Sequence, residues 1–138
     1  MAKLYEKVDA ELENIEQILT ELRHTKNIED LSTVELAGIG AFIHNFYNGI
    51  ENILKQILIS KCGKLPDGAF WHSELLKTAA KKGIISVKTA KKLKDYLAFR
   101  HFFSHSYSFN LDKDLMIPLV KKVDSVYKSF LKDIKKII

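Results

Sequence analysis

The chain is short of the residues that staple, break or anchor a fold: one cysteine, two prolines, six glycines and one tryptophan in 138 residues. A single cysteine, Cys62, allows no intramolecular disulfide and no thiolate metal cluster within one chain. Its setting at a helix end reads as that of a small space-filler. No apolar run approaches the roughly 18 residues that a membrane span needs. The opening MAKLYEKVDAELENIEQ alternates charge with apolar residues, where a signal peptide needs a continuous apolar stretch. These absences predict a soluble, cytoplasmic protein with no membrane association. No segment reads as a strand pair, and neither internal repeats nor low-complexity stretches interrupt the chain.

What is present is the material of one core. With 46% hydrophobic and 28% charged residues, the length and composition predict a single domain over 1–138. The formal net charge of +5 admits a polyanionic partner, whether RNA, DNA, an anionic membrane face or an acidic protein, without choosing among them.

Apolar periodicity makes the chain all-α. Leu4, Val8, Leu12, Ile15, Leu19 and Leu22 recur at three- and four-residue steps, predicting an amphipathic helix over about 3–25. In LSTVELAG, Ser32 can cap a second helix, Glu35 completes a capping box and Leu31 can staple onto Leu36, for a helix over about 33–61. Gly63, Pro66 and Gly68 mark KCGKLPDG as a loop. A short helix from Trp71 to about Lys82 is stopped by Gly83. Ser86 caps a fourth, whose apolar side is read as Ala90, Leu93, Leu97 and Phe99 or Ala98. Asp112 or Asp114 opens the last, with Leu115, Leu119, Val123, Val126, Tyr127, Phe130 and Ile134 as its buried stripe and Pro118 in its first turns. The architecture expected is a bundle of four long helices plus a short one. The last helix also admits reading as a membrane-surface helix, but its lysines are spaced by core-type residues.

Arginine is the second scarcity. Against 20 lysines there are two arginines, Arg23 and Arg100, and Arg100 sits in YLAFRHFFSHSYSF, which holds six of the fourteen aromatic residues. A guanidinium keeps its charge when partly desolvated and grips a phosphate through two parallel hydrogen bonds. The plain alternative is that Arg100 stacks on an aromatic ring or pairs with a carboxylate. His105 follows, and beside a guanidinium an imidazole favours the neutral form, able to accept a proton as a general base. It can equally be a polar group closing a helix through its last carbonyls. In an unbroken helix the two are separated by about 7.5 Å of rise and roughly 140° of rotation. Two solutions bring them to one phosphate. Either the helix ends near Ser104 and the turn swings His105 round, or two subunits each lend residues to a shared cleft, with Phe102 and Phe103 packing the interface or the monomer core.

The run Arg100-His101-Phe102-Phe103-Ser104-His105-Ser106-Tyr107 resembles the arginine, four to six residues, histidine, any residue, tyrosine pattern of the HepT-like toxins of the HEPN superfamily, which are all-α ribonucleases. FYNGIENILKQI in the second helix is also similar to that family. The resemblance implies a HEPN-like helical bundle acting as a homodimer: the toxin of a type II toxin-antitoxin system, cleaving RNA without metal or other cofactor. Arg100 would bind the scissile phosphate, and His105 would take the proton of the ribose 2′-hydroxyl, leaving a 2′,3′-cyclic phosphate. His101 fits the polar residue that often follows the motif arginine, and Asn48 and Glu51 are candidates for supporting hydrogen bonds. The implied partner is a nucleotidyltransferase antitoxin, in a larger complex with the toxin, that adenylylates Tyr107. Adenylylation would place bulk and negative charge where RNA phosphate should sit.

Lys91, Lys92 and Lys94, with Lys88, lie on the helix of Arg100 and can steer a phosphate backbone, although a lysine-rich face is commonly just solvated. His24, His44 and His72 lack a second ligand at metal spacing, so no metal site is assigned. Two alternatives to an active ribonuclease are a HEPN-like protein that no longer cleaves and serves as substrate or partner of a nucleotidyltransferase, and a helical interaction module without nucleotide chemistry.

Overall fold

The computed structural model describes residues 2–25, 27–107 and 110–138. Five α-helices follow one another: α1 (Ala2–Arg23), α2 (Thr33–Cys62), α3 (Trp71–Lys81), α4 (Val87–His105) and α5 (Lys113–Lys135), with a 3-10 turn at Ile28–Asp30. No strand occurs among the described residues, and no described helix is long and apolar enough to cross a membrane.

The helix ends follow local chemistry. The Ser32 hydroxyl accepts from the Glu35 N–H at 3.1 Å while Glu35 Oε1 accepts from the Ser32 N–H at 3.0 Å, a closed capping box. Gly63 closes α2 in the left-handed region at φ 73°, where a side chain would be strained. Ser86 caps α4 and Asp112 caps α5. Pro118 lies inside α5, within its second turn.

α2 is apolar nearly all round because it is the helix the others surround: α1 packs along it, and α3, α4 and α5 each touch it. Ile43, Phe46, Tyr47, Ile50, Ile53, Leu54 and Ile57 are at most 1% exposed. Each such side chain contributes about 1.5–3 kcal/mol through removal from water. Two polar ties fix the outer helices. Arg23 holds Asp124 at 2.7 Å, joining α1 to α5, and Asp133 of α5 accepts from the Ser86 N–H at 2.9 Å and the Thr89 hydroxyl at 2.6 Å.

Three expectations need correction. Cys62 is exposed and fills no space, because Gly63 turns the chain away at the helix end. Leu115 is 55% exposed and Met116 takes the buried place at the start of α5, so the stripe begins one residue later. The buried side of α4 is Thr89, Leu93, Tyr96 and Phe99, with Ala90 and Leu97 at its margins and Ala98 exposed. Tyr96 could be buried because its hydroxyl donates to the Leu119 carbonyl, and Thr89 because Asp133 and Ser129 satisfy its hydroxyl.

Candidate functional site

Where α4 crosses α2, polar residues interrupt an otherwise apolar contact. His44, Tyr47, Asn48 and Glu51 recur at three- and four-residue spacing on α2, and so share one face of it. Arg100 of α4 meets that face: its Nε donates to Asn48 Oδ1 at 3.3 Å and lies 3.5 Å from Glu51 Oε1. The Glu51 side chain is 3% exposed and that of Arg100 22%. A carboxylate so deeply placed needs partners. It has a second one in His72 of α3, whose Nδ1 lies 2.9 and 3.1 Å from its two oxygens. Three helices are thus pinned through one carboxylate.

Both contacts are made through Nε, and among the described residues neither terminal nitrogen has a hydrogen bond; a guanidinium held in this way can still turn those two nitrogens on an oxyanion. His44 stacks on Phe103 with ring centroids 5.1 Å apart. Burial first, and the Arg100 charge second, hold the His44 pKa below the ordinary histidine value. The Tyr47 hydroxyl is pushed far above the usual phenol range by burial, with the Glu51 charge adding to it and Arg100 opposing it. Both the Tyr47 hydroxyl and His44 Nδ1 are buried without a hydrogen-bond partner among the described residues.

α4 ends at His105, one residue past Ser104, with Ser106 as its C-cap; His105 is still helical, so no turn swings it towards Arg100. The five intervening steps leave the two side chains about 140° apart around the helix. Arg100 faces α2, while His105 is exposed. His101 shares the face of His105, one turn earlier, with ring centroids 4.7 Å apart. Tyr107 follows the helix end and is 71% exposed. Ser108 and Phe109, which close the aromatic segment read from the sequence, lie outside the described residues. Phe102 and Phe103 are half-buried and pack against the core; Phe103 lies where a side chain on Gly40 would have to go.

Lys91 and Lys94 are exposed and Lys92 is half-buried. In a continuous α4, Lys91 lies about 180° and Lys94 about 120° around the helix from Arg100. Lys91 and Lys92 instead flank a groove against α5 with Asp95 and Lys122. Lys91 and Lys94 share a helix with the arginine but not its face, while Lys92 lies about 80° from it.

The sequence points to Asn48, Glu51 and Arg100, which the fold brings together; His44 and His72 are read there only as metal ligands that fail, and Tyr47 is not singled out. The polar spacing within HNFYNGIE was a usable signal for His44 and Tyr47, which stand in helical register with Asn48 and Glu51. Nothing local marked His72, which reaches Glu51 from a different helix.

The five-helix architecture is consistent with a HEPN-like helical fold. The profile of the family described as HepT-like protein matches residues 38–138, and the chain belongs to that family, within the HEPN superfamily. The matched stretch takes in every residue of the Arg100 cluster together with His105 and Tyr107, and leaves α1 outside. No curated protein and no solved structure matches the chain.

Proposed function

We propose that the protein is a ribonuclease toxin acting as a homodimer of single-domain chains, with Arg100 and His105 as its catalytic residues and a nucleotidyltransferase antitoxin as its partner in the cytoplasm. The observation that carries this reading is the clamp on Arg100: Asn48 and Glu51 fix its Nε edge on the first half of the motif, and an exposed histidine and tyrosine follow. Because α4 is unbroken, one chain presents the two catalytic groups on different faces. A second copy set against the first by a two-fold axis supplies what one chain cannot, an arginine from one subunit facing a histidine from the other.

In that cleft Arg100 neutralises the phosphate oxygens while His105 accepts the 2′-hydroxyl proton. The 2′ oxygen then bonds to phosphorus, the bond from phosphorus to the 5′ oxygen breaks, and that oxygen leaves with a proton from solvent. The products are a 2′,3′-cyclic phosphate and a 5′-hydroxyl end. His101, on the same face as His105, supports its orientation. Silencing would occur at Tyr107: its hydroxyl attacks the α-phosphorus of a nucleoside triphosphate on the antitoxin, pyrophosphate departs, and the adenylyl group brings negative charge beside His105.

The test is cleavage of total cellular RNA by protein in the presence of chelator, comparing wild type with His105→Ala and Arg100→Ala. Removal of a general base is expected to cost about 10²–10⁴-fold in rate. Fragments ending in cyclic phosphate from the wild type alone support the reading. Equal inactivity of all three, with Tyr107 shown by intact mass to be unmodified, would instead leave a HEPN-like protein that serves as the substrate of a nucleotidyltransferase.

A further inference from the structure

A groove of about 380 Å³ runs between α1 and α2, beside the Arg100 cluster. Four of the chain's six asparagines line it, Asn14 from α1 and Asn45, Asn48 and Asn52 from α2, together with Glu11 and Phe42. Asparagine is among the poorer helix formers, yet it recurs here at three- and four-residue steps along one face of a single helix. The two helices approach closely at Gly49, where a side chain would meet Ile15 Cγ1 at 2.7 Å, and Glu11 Oε2 lies 4.0 Å from the same point. Asn48, in the middle of the groove, accepts from Arg100 Nε at 3.3 Å. One helical turn further on, Asn52 Nδ2 donates to Glu11 Oε1 at 3.4 Å.

Glu11 meets α2 at Asn52, one turn from the asparagine that holds Arg100; a carboxylate there repels a nucleic-acid backbone but can accept N–H groups from an uncharged part of a ligand. With its amide N–H turned to Glu11, Asn52 offers its carbonyl, and Glu11 offers its second oxygen. Two acceptors side by side match adjacent donors. Among the four RNA bases only guanine carries them, N1–H and N2–H on its Watson–Crick edge, the edge that single-stranded RNA leaves open to a protein. Asn14 and Asn45 add groups that can both donate and accept, and Phe42 adds an aromatic face on which a base can stack.

We propose that this groove is a nucleobase subsite that selects guanine next to the scissile phosphate, with Glu11 as the discriminating acceptor. As an RNA subsite it rests on the ribonuclease reading above. Its α1 wall lies outside the residues matched by the family.

The test is isothermal titration of the wild-type protein and Glu11→Gln with the four 3′-mononucleotides, alongside mapping of cleavage sites. The wild type is expected to bind 3′-GMP about tenfold or more tighter than the other three, the size of one good bidentate contact to a base edge, and Glu11→Gln to lose that margin while unfolding at an unchanged temperature. Equal binding of all four by the wild type, or a guanine margin that survives in Glu11→Gln, overturns the proposal. Cleavage without regard to base, in a protein that also lacks the guanine margin, sinks the subsite and leaves the ribonuclease standing. A guanine margin that depends on Glu11, in a protein that cuts no RNA, keeps the nucleotide site and removes the ribonuclease. Should Asn45→Arg dissociate a dimer while nucleotide binding is absent from both proteins, the groove is an interface between copies instead.

Discussion

Glu51 Oε1 lies 3.5 Å from Arg100 Nε and 3.1 Å from His72 Nδ1, so one buried oxygen joins α2 to both α3 and α4. Removing it leaves a guanidinium and an imidazole facing a cavity. Glu51→Ala is therefore expected to cost about 3 kcal/mol, a fall in Tm of roughly 10 °C for a chain of this size. Combined with His72→Ala in a double-mutant cycle, it should show coupling of about 1 kcal/mol or more. Additive losses in thermal or denaturant unfolding would mean that the two side chains act independently.

Arg100→Lys keeps the charge and loses the fork. With the Nε edge no longer available to Asn48 and Glu51, the ammonium has no fixed direction. On the ribonuclease reading, cleavage should fall by about 10²-fold or more, as when one preorganised donor is removed from an active site. Single-turnover cleavage of a defined oligonucleotide measures it, and near-normal rates would show that charge alone suffices.

His44 gives stability a pH dependence whose sign follows from its surroundings. Burial and the Arg100 charge depress its folded pKa below the unfolded value of about 6.5. Between the two values the unfolded chain binds more protons, so the stability contributed above pH of about 6.5 is lost as pH falls through the folded pKa. Denaturant unfolding at a series of pH values should show this decline in the wild type and a flatter profile in His44→Gln. Identical profiles would assign the dependence to other groups.

Gly49→Ala places a methyl where Ile15 Cγ1 and Cδ1 would stand 2.7 and 2.9 Å away, and Ile15 is fully buried. The helices must part, at a cost of about 1–3 kcal/mol. Because the same approach shapes the groove beside Asn48, stability in urea and, on the proposed subsite, nucleotide binding should fall together; stability lost with binding unchanged would separate the groove from the close approach.

If Tyr107 is the site of adenylylation, Tyr107→Phe should abolish the covalent adduct. Incubated with the nucleotidyltransferase and ATP, the wild type is expected to gain the mass of at least one adenylyl group and Tyr107→Phe none, with intact mass as the readout. A full adduct on the variant would place the modification on another residue.

Much of this molecule could be read without coordinates. The capping box at Ser32, the stop at Gly83 and the stripe of α1 depend on neighbours within a turn, and sequence states those neighbours directly. The errors fell where burial was decided by a partner from elsewhere. Thr89 and Tyr96 looked unsuited to a core until Asp133 and the Leu119 carbonyl, both from α5, satisfied their hydroxyls. Leu115 looked suited to one and stands in solvent.

The sequence by itself determined an all-helical chain, most of its helix ends and a resemblance, carried by the Arg100, His105 and Tyr107 run, to the family it belongs to, because periodicity, capping and motif spacing are local along the chain. Only the tertiary structure decided that Arg100 is held by Asn48 and by a glutamate that His72 also holds, and that α4 stays straight and keeps Arg100 and His105 on different faces. Those relations depend on how α2, α3 and α4 cross, and helix crossing is set by the packing of side chains far apart in sequence.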